Sequence, residues 1–195
     1  MKKILVIVTV WGCFLSLATF AVFNLPWLLL YVGINSLPNP PQPSITYGEF
    51  PFKLVYEIDG KQRVIEDTLI CEYDGLGKNE GIGKYIKWKK SYASGNSQVL
   101  LLNANNVKGI MYGKEEVVNQ EVYYDPGPSE YYMGDDEYKG YEPSFPGASF
   151  LEEYSQARSV SGVIHANELL EKFHIKLISW ESSPPIKNTF IESEK

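Results

Sequence analysis

The sequence has little of what a disulfide scaffold or a nucleic-acid-binding protein requires. Only two cysteines occur among its 195 residues, which excludes a fold held together by disulfides. Residues 4–34 carry no charge, and Lys2 and Lys3 are the only basic residues before them. The remaining 16 of 18 basic residues therefore stand against all 24 acidic ones, a net charge of −8 from Ser36 onward. This balance argues against nucleic acid as a partner, because such proteins present a basic surface.

The uncharged stretch is long enough to cross a bilayer. A membrane core needs about 20 apolar helical residues, whereas a cleaved signal peptide has an apolar region of only about 7–15. We therefore predict a single uncleaved transmembrane anchor over residues 1–35, which meets the membrane through residues 4–34. The alternative is a signal peptide cut after Ala18. Asn24-Leu25-Pro26 is expected to mark a kink or the outer end of this helix, since proline removes a backbone donor.

The charges that flank the anchor predict its orientation. Lys2 and Lys3 precede the apolar stretch, and the first charge after it is Glu49. Basic residues favour the cytoplasmic side, so we expect a single-pass cell-membrane protein with a cytoplasmic N-terminus. The C-terminal domain is then extracytoplasmic. Residues 36–46, with four prolines in six positions, predict an extended spacer before a β-rich domain over residues 47–195.

Turn signals recur about every ten residues along this domain, which is typical of antiparallel β structure. Asp59-Gly60 is a strong hairpin signal, and a glycine-rich loop is expected over residues 74–83. The predicted fold class is α+β, mostly antiparallel β in a sandwich or partly open barrel, with one or two short C-terminal helices after the transmembrane helix. The predicted strands are Phe52–Ile58, Arg63–Tyr73, Lys84–Tyr92, Gln98–Leu102, Gly109–Tyr112, Val117–Tyr124 and Ile175–Trp180, and the predicted helices are Phe150–Ala157 and His165–Phe173.

The most unusual segment is residues 123–142, which hold six tyrosines and six acidic residues. Tyrosine offers a large amphipathic contact surface at low entropic cost and is enriched in recognition loops. Three interpretations stand: tyrosines packed on the sheet beside solvated acids, recognition of a protein or glycan partner, or cation binding through carboxylate oxygens. The candidate binding residues are Tyr123, Tyr124, Asp125, Tyr131, Tyr132, Asp135 and Asp136.

Other catalytic and metal patterns fail on spacing. The glycine-rich stretch from Gly75 to Lys84 lacks phosphate-loop spacing and its Ser/Thr, and no Gly-X-Ser-X-Gly elbow occurs. His165 and His174 lie at opposite ends of a predicted helix, about 13 Å apart, which is too far for one metal ion. Cys71 is expected to be a buried free thiol. We predict no catalytic residue, no metal and no cofactor.

The sequence also contains a basic cluster and two stretches that resemble a known group of proteins. Lys84, Lys87, Lys89 and Lys90 predict a solvated strand face, with anionic lipid headgroups or a wall polymer as alternative partners. The stretches at 123–127 (Tyr-Tyr-Asp-Pro-Gly) and 131–135 (Tyr-Tyr-Met-Gly-Asp), with the opening hairpin, resemble uncharacterised membrane-anchored extracytoplasmic proteins of Gram-positive bacteria. That resemblance implies a location and no activity.

Three functions follow as hypotheses. The first is a non-enzymatic binding or interaction module that presents the tyrosine-rich loop to a protein or glycan. The second is a surface hydrolase that acts on a glycan through paired carboxylates, which must lie about 5–9 Å apart. The third is an accessory subunit of a membrane complex. Whether the protein is an enzyme is left open, with the balance toward a binding role.

Overall fold

A long N-terminal helix opens the computed structural model. Helix α1 runs from Lys2 to Ser36, and within it Ala18–Ser36 is long and apolar enough to cross a membrane. The helix continues through Pro26, so the prediction that this proline could mark its outer end is wrong. Proline removes only one amide donor from this 35-residue helix, and the other hydrogen bonds of the helix carry it past this position. The structure describes residues 2–110, 115–135, 138, 140–155 and 158–191.

The chain divides into two compact units. One contains α1 and residues 75–87, and the other contains residues 43–74 and 88–190. Two short helices and ten strands follow α1 along the described chain. The strands are β1 (Gln42–Pro43), β2 (Tyr47–Ile58), β3 (Lys61–Asn79), β4 (Gly83–Tyr92), β5 (Val99–Lys108), β6 (Glu116–Tyr124), β7 (Ala148–Tyr154), β8 (Arg158–Ile164), β9 (Ile175–Ser182) and β10 (Phe190–Ile191), and the helices are α2 (Ser129–Tyr132) and α3 (Ala166–Phe173).

Two four-stranded sheets form the body of the fold. Their strand orders are β4-β3-β2-β9 and β5-β6-β7-β8, and β1 pairs separately with β10. Neighbouring strands run antiparallel in the β2–β3, β2–β9, β5–β6, β6–β7 and β7–β8 pairs. The sheets are not closed into a barrel. The predicted fold class, mostly antiparallel β with few short helices after an apolar N-terminal helix, is confirmed.

The first hairpin has the predicted turn. Asp59 and Gly60 both adopt positive φ, +50° and +73°, as a two-residue type I′ turn requires. Their conformation sets the β2–β3 register, in which Ile58 lies opposite Lys61. The aromatic and aliphatic residues at alternate positions of β2 are therefore all directed to one side and buried. The buried alternates are Phe50, Phe52, Leu54 and Tyr56.

The two sheets meet through aromatic side chains. The rings of Tyr124 on β6 and Trp180 on β9 lie 4.6 Å apart, and the Tyr56 hydroxyl donates to the Leu101 carbonyl. Trp180 also lies 5.1 Å from Phe52, so one indole bridges the two sheets. Burial of each such side chain contributes roughly 1.5–3 kcal/mol to folding.

Three local predictions are wrong. The expected loop over residues 74–83 is mostly strand, because β3 continues to Asn79 and β4 begins at Gly83. β5 likewise continues to Lys108, and no strand forms at Gly109 and Ile110, the described part of the segment predicted at 109–112. The predicted helix over Phe150–Ala157 is instead strand β7.

A buried carboxylate explains the third error. Glu152 is fully buried and accepts hydrogen bonds from the Ile110 amide (2.7 Å), the Gln120 side chain (2.8 Å) and the Tyr154 hydroxyl (2.6 Å). These donors allow a glutamate to occupy a core position between Phe150 and Tyr154. Glu152 lies within the segment predicted as a helix, Phe150–Ala157. Pairing with β6 and β8 thus overrides the helix propensity of this segment.

Candidate functional site

The tyrosine-rich segment separates into buried and cleft-lining residues. Tyr124 and Tyr132 are fully buried, with 0% and 1% of their surfaces exposed. Tyr123 and Tyr131 are half-buried, and Asp125 is exposed. Asp136, the last of the predicted binding residues, lies outside the described residues. The seven candidates therefore do not form one surface.

Tyr124 is a core residue at the end of β6. Its ring packs on Trp180, and its buried hydroxyl has no hydrogen-bond partner among the residues that the structure describes. Burial raises the pKa of this phenol above its usual value of 10. A neutral, enclosed phenol serves packing between the sheets and is not available to an external ligand.

Tyr132 is a second core residue, carried by α2. Its ring centroid lies 5.0 Å from that of Phe50, and its hydroxyl donates to the Pro126 carbonyl over 2.9 Å. Burial also raises the pKa of Tyr132. Both contacts hold the short helix against β2 and fix the loop that precedes it. The interpretation of tyrosines packed on the sheet therefore applies to Tyr124 and Tyr132.

Asp125 organises the turn between β6 and α2. One carboxylate oxygen accepts hydrogen bonds from the Gly127 amide and from the Lys90 ammonium, each at 3.1 Å. The same ammonium donates to the Gly127 carbonyl over 3.1 Å. Lys90, predicted to lie on a solvated strand face, is exposed, and its ammonium is joined to this turn. Asp125 has a local structural role in this arrangement.

Tyr131 and Asp135 line a cleft of about 310 Å³. Tyr131 packs against two other rings, edge-on to Tyr132 and tilted to Tyr141, with a centroid distance of 5.1 Å to each. Successive backbone hydrogen bonds, from the Asp135 amide to Glu130 and from the Tyr138 amide to Asp135, wind the segment around the opening. Tyr138 is 37% exposed at this cleft. The remaining wall is formed by Gly134, Pro185, Ile186, Lys187 and Asn188.

The far wall is held by backbone contacts that only glycine permits. Gly134 has φ +71°, and a Cβ at this position would lie 2.4 Å from the Ile186 carbonyl oxygen. The Ile186 amide donates to the Tyr132 carbonyl over 2.9 Å. Asn188 joins the same wall, because its amide group donates to the Met133 and Ile45 carbonyls at 3.1 and 2.9 Å. These contacts fix the shape of the cleft before any ligand arrives.

The cleft combines aromatic faces with polar groups of both signs. Tyr131 and Tyr138 line the cleft together with exposed Lys187 and half-buried Asp135. Aromatic surface with a few fixed polar groups is the usual composition of a ligand site, and the volume lies at the small end of the usual range, about 300–1,000 Å³. Such a lining can hold a ring or chain of mixed polarity.

Carboxylates also line a second cleft, of about 320 Å³, at the edge of β5. Asp67 and Glu121 both contribute to it. Asp67 accepts hydrogen bonds from the Ser94 amide and hydroxyl, and Glu121 accepts from the side chains of Gln98, Asn103 and Asn119. Each carboxylate is thus held in position by neighbouring donors.

Metal and thiol chemistry find little support in the described chain. Across the residues that the structure describes, no group of three His, Cys, Asp or Glu side chains is placed to hold a metal ion. Cys71 is a free, fully buried cysteine, as predicted, and burial raises its thiol pKa to about 12. His165 and His174 flank α3, where His174 ends the helix in a left-handed conformation with φ +55°.

The wall formed by residues 185–188 could not be found from sequence. It lies about 50 residues beyond Tyr131, in a short stretch with two prolines that carries no recognisable motif. Asp67 and Glu121 were likewise two acids among 24. No family model, no curated protein and no solved structure matches this chain. The resemblance to membrane-anchored Gram-positive proteins stays a prediction.

Proposed function

We propose that this chain is a membrane-anchored, non-enzymatic binding module whose β domain lies outside the cytoplasm and takes a protein or glycan ligand at the cleft of Tyr131, Asp135 and Tyr138. The observation that carries the proposal is the cleft itself. It brings Tyr131, Asp135 and Tyr138 of the tyrosine-rich segment together with a wall distant in sequence, and glycine and asparagine contacts fix its shape.

The anchor is supported by length and by charge. Ala18–Ser36 spans roughly 28 Å as a helix, close to the thickness of a bilayer core of about 30 Å. Lys2 and Lys3 precede it, and basic residues favour the cytoplasmic side. Protease added to intact cells should therefore degrade the β domain. A domain fully protected until the cells are lysed would contradict the proposed orientation.

The lining of the cleft favours a ligand with both apolar faces and hydroxyl or amide groups. Aromatic rings stack on the apolar face of a sugar or on an extended peptide, while carboxylate and ammonium groups exchange hydrogen bonds with polar substituents. Asp135 accepts, Lys187 donates, and the Tyr138 ring supplies a partly exposed surface. Binding of such a ligand does not require any of these groups to take part in a reaction.

Binding by the full chain in lipid nanodiscs tests the site. An array of cell-surface oligosaccharides is probed with the native chain and with Tyr138→Ala and Lys187→Gln. Both side chains are at least partly exposed, so the variants should fold. We expect bound oligosaccharides to be lost or weakened at least about tenfold, the loss of about 1.4 kcal/mol that one good stacking or charged contact contributes.

Tyr47→Ala is the matched control, since Tyr47 is another exposed tyrosine, 47% accessible, that does not line the cleft. It should bind as the native chain does. If Tyr138→Ala and Lys187→Gln bind every oligosaccharide as tightly as Tyr47→Ala, the cleft is not the glycan site.

A hydrolase is the second candidate, because Asp67 and Glu121 line one cleft. Its test is release of reducing sugar from cell-wall glycans by the native chain and by Asp67→Asn and Glu121→Gln. Activity that both substitutions abolish would establish this function. The hydrogen bonds that each carboxylate already accepts favour a structural role, so we place this candidate below the binding module.

A further inference from the structure

The lysine-rich end of the β3–β4 hairpin lies against the C-terminal end of α1. We call residues 75–87 the hairpin tip. Lys84 Nζ donates to the Asn35 carbonyl (2.9 Å), the Leu37 carbonyl (2.7 Å) and the Asn39 side-chain oxygen (2.9 Å). An ammonium group has three donors, and all three are used.

These hydrogen bonds satisfy carbonyl groups that a helix leaves unpaired at its C-terminal end. The last four carbonyls of a helix have no partner within it, and the C-terminus bears partial negative charge. The Leu37 amide satisfies the Ile34 carbonyl at 3.2 Å, and Lys84 satisfies the next carbonyl, that of Asn35. Close to a bilayer, where water is scarce, such partners stabilise the helix end most.

Lys78 makes a second connection from the other strand of the hairpin tip. Its ammonium donates to the Asn35 side-chain oxygen and lies 5.8 Å from the centroid of the Tyr31 ring. Tyr31 and Asn35 are one helical turn apart, so Lys78 lies along the last turn of α1. Gly83 admits the contact of the hairpin with Leu37, because it has φ +82° and a Cβ would come within 2.7 Å of a Leu37 methyl group.

The hairpin tip also exposes apolar surface. Ile82, in the turn between the two strands, is 64% exposed. Leu37 and Tyr31, which the tip contacts, are 46% and 62% exposed. Apolar side chains at the end of a membrane-crossing helix are stabilised by the headgroup region.

The charge of the hairpin tip is opposite to that of the chain around it. Residues 75–87 contain three lysines and one glutamate, a net charge of +2, whereas the chain from Ser36 onward carries −8. Basic residues at a membrane surface gain roughly 1 kcal/mol each from anionic lipids. The positive charge of the hairpin tip thus lies at the end of α1, where anionic headgroups would be.

We propose that the hairpin tip is a lipid-binding surface, in which Ile82 enters the headgroup region of the outer leaflet and the charge of exposed Lys87 attracts anionic phospholipids, while Lys84 and Lys78 cap α1. This inference rests on the membrane anchor of the proposed function and is independent of the ligand cleft. The partner is a bilayer surface, because the tip contacts the end of the apolar helix, exposes Ile82 and contrasts in charge with an acidic chain.

The depth of Ile82 tests the proposal. The full chain with Cys13→Ser and Ile82→Cys is spin-labelled and placed in nanodiscs of phosphatidylethanolamine and phosphatidylglycerol; Cys71 is buried and should not react. Val163→Cys is the matched control, at a β-branched residue that is 61% exposed. We expect the label at position 82 to be at least threefold less accessible to a water-soluble nickel relaxation agent than the label at 163.

The role of charge is tested in the same samples. Raising phosphatidylglycerol from zero to half of the lipid should increase the shielding of position 82. Lys87→Glu should reverse that increase, whereas Lys176→Glu, at an exposed lysine of β9, should not. Labels at 82 and 163 that are equally accessible at every lipid composition would overturn the proposal. Resistance of the same samples to alkaline extraction shows separately whether α1 is embedded, so failure of the tip and failure of the anchor are distinguishable.

Discussion

The tyrosine-rich segment contains tyrosines in two different environments. Tyr124 and Tyr132 are enclosed between the sheets, while Tyr131 and Tyr138 line an open cleft. The difference arises from position relative to β6 and α2, since Tyr124 ends a strand and Tyr132 is on the inward side of a one-turn helix. A tyrosine-rich sequence therefore contains both core residues and cleft-lining residues, and local composition does not distinguish them.

The largest expected difference between the buried and the cleft-lining tyrosines is in the free energy of unfolding after truncation to alanine. Tyr132→Ala removes a buried ring from contact with Phe50 and should lower the free energy of unfolding by about 3–5 kcal/mol. Tyr138→Ala removes a partly exposed ring and should lower it by less than about 1 kcal/mol. Urea unfolding of the full chain in detergent measures both. Equal losses would mean that the segment is not divided as described.

The cleft wall depends on Gly134. Gly134→Ala forces a side chain into a left-handed conformation and against the Ile186 carbonyl, so we expect a loss of about 2 kcal/mol. Gly140→Ala is the control, because a Cβ there meets no atom within 4 Å and the backbone has no positive φ. Thermal unfolding followed by circular dichroism compares them. If Gly134→Ala is as stable as Gly140→Ala, the close contact between the 134 turn and residue 186 is not present in solution.

Alkaline pH should lower the free energy of unfolding through the buried groups Cys71, Tyr124 and Tyr132. Burial raises the pKa of Cys71 from 9.0 to about 12, and it raises those of Tyr124 and Tyr132 above 10. Above pH 9 the unfolded chain releases protons that the folded chain retains, so the free energy of unfolding falls as pH rises through this range. The contribution of Cys71 alone is up to roughly 1 kcal/mol per pH unit.

Urea unfolding at pH 8, 9, 10 and 11 measures this slope. Cys71→Ala should be less stable at pH 8, because it leaves a small cavity, but its stability should fall less steeply with pH. A slope unchanged by the substitution would show that the thiol already ionises in the folded chain.

The smallest contrast concerns the two buried hydroxyls. Tyr132→Phe leaves the Pro126 carbonyl without its hydroxyl donor and should destabilise by about 1 kcal/mol. Tyr124→Phe removes a buried hydroxyl with no partner in the described part of the chain, so it should be neutral or stabilising by up to about 1 kcal/mol. Opposite signs in parallel urea titrations are expected. A marked loss for Tyr124→Phe would indicate that its hydroxyl is hydrogen-bonded in solution.

Local signals sufficed where backbone chemistry determines the structure. Asp59-Gly60 specified the first hairpin because its two residues tolerate positive φ, and the helix predicted over His165–Phe173 is observed as α3. The strand at 148–154 was mistaken for a helix, because the donors that satisfy Glu152 come from residues 110, 120 and 154. Such long-range partners leave no trace in a local pattern.

Two of the seven predicted binding residues, Tyr131 and Asp135, line one cleft. Tyr124 and Tyr132 are instead buried in the core. The periodicity of a one-turn helix is too short to assign an inward face from sequence. The opposite wall, Pro185–Asn188, is joined to the loop by backbone hydrogen bonds that depend on the whole fold.

The central claim is that the cleft of Tyr131, Asp135 and Tyr138 binds a ligand. Photocrosslinking in intact cells tests this claim most directly. Benzoylphenylalanine replaces Tyr138 in one sample and Tyr47, the exposed control outside the cleft, in another. The account predicts a defined higher-mass adduct, of protein or glycan, with the probe at 138 and none with the probe at 47. An adduct at 47 and none at 138 would contradict it.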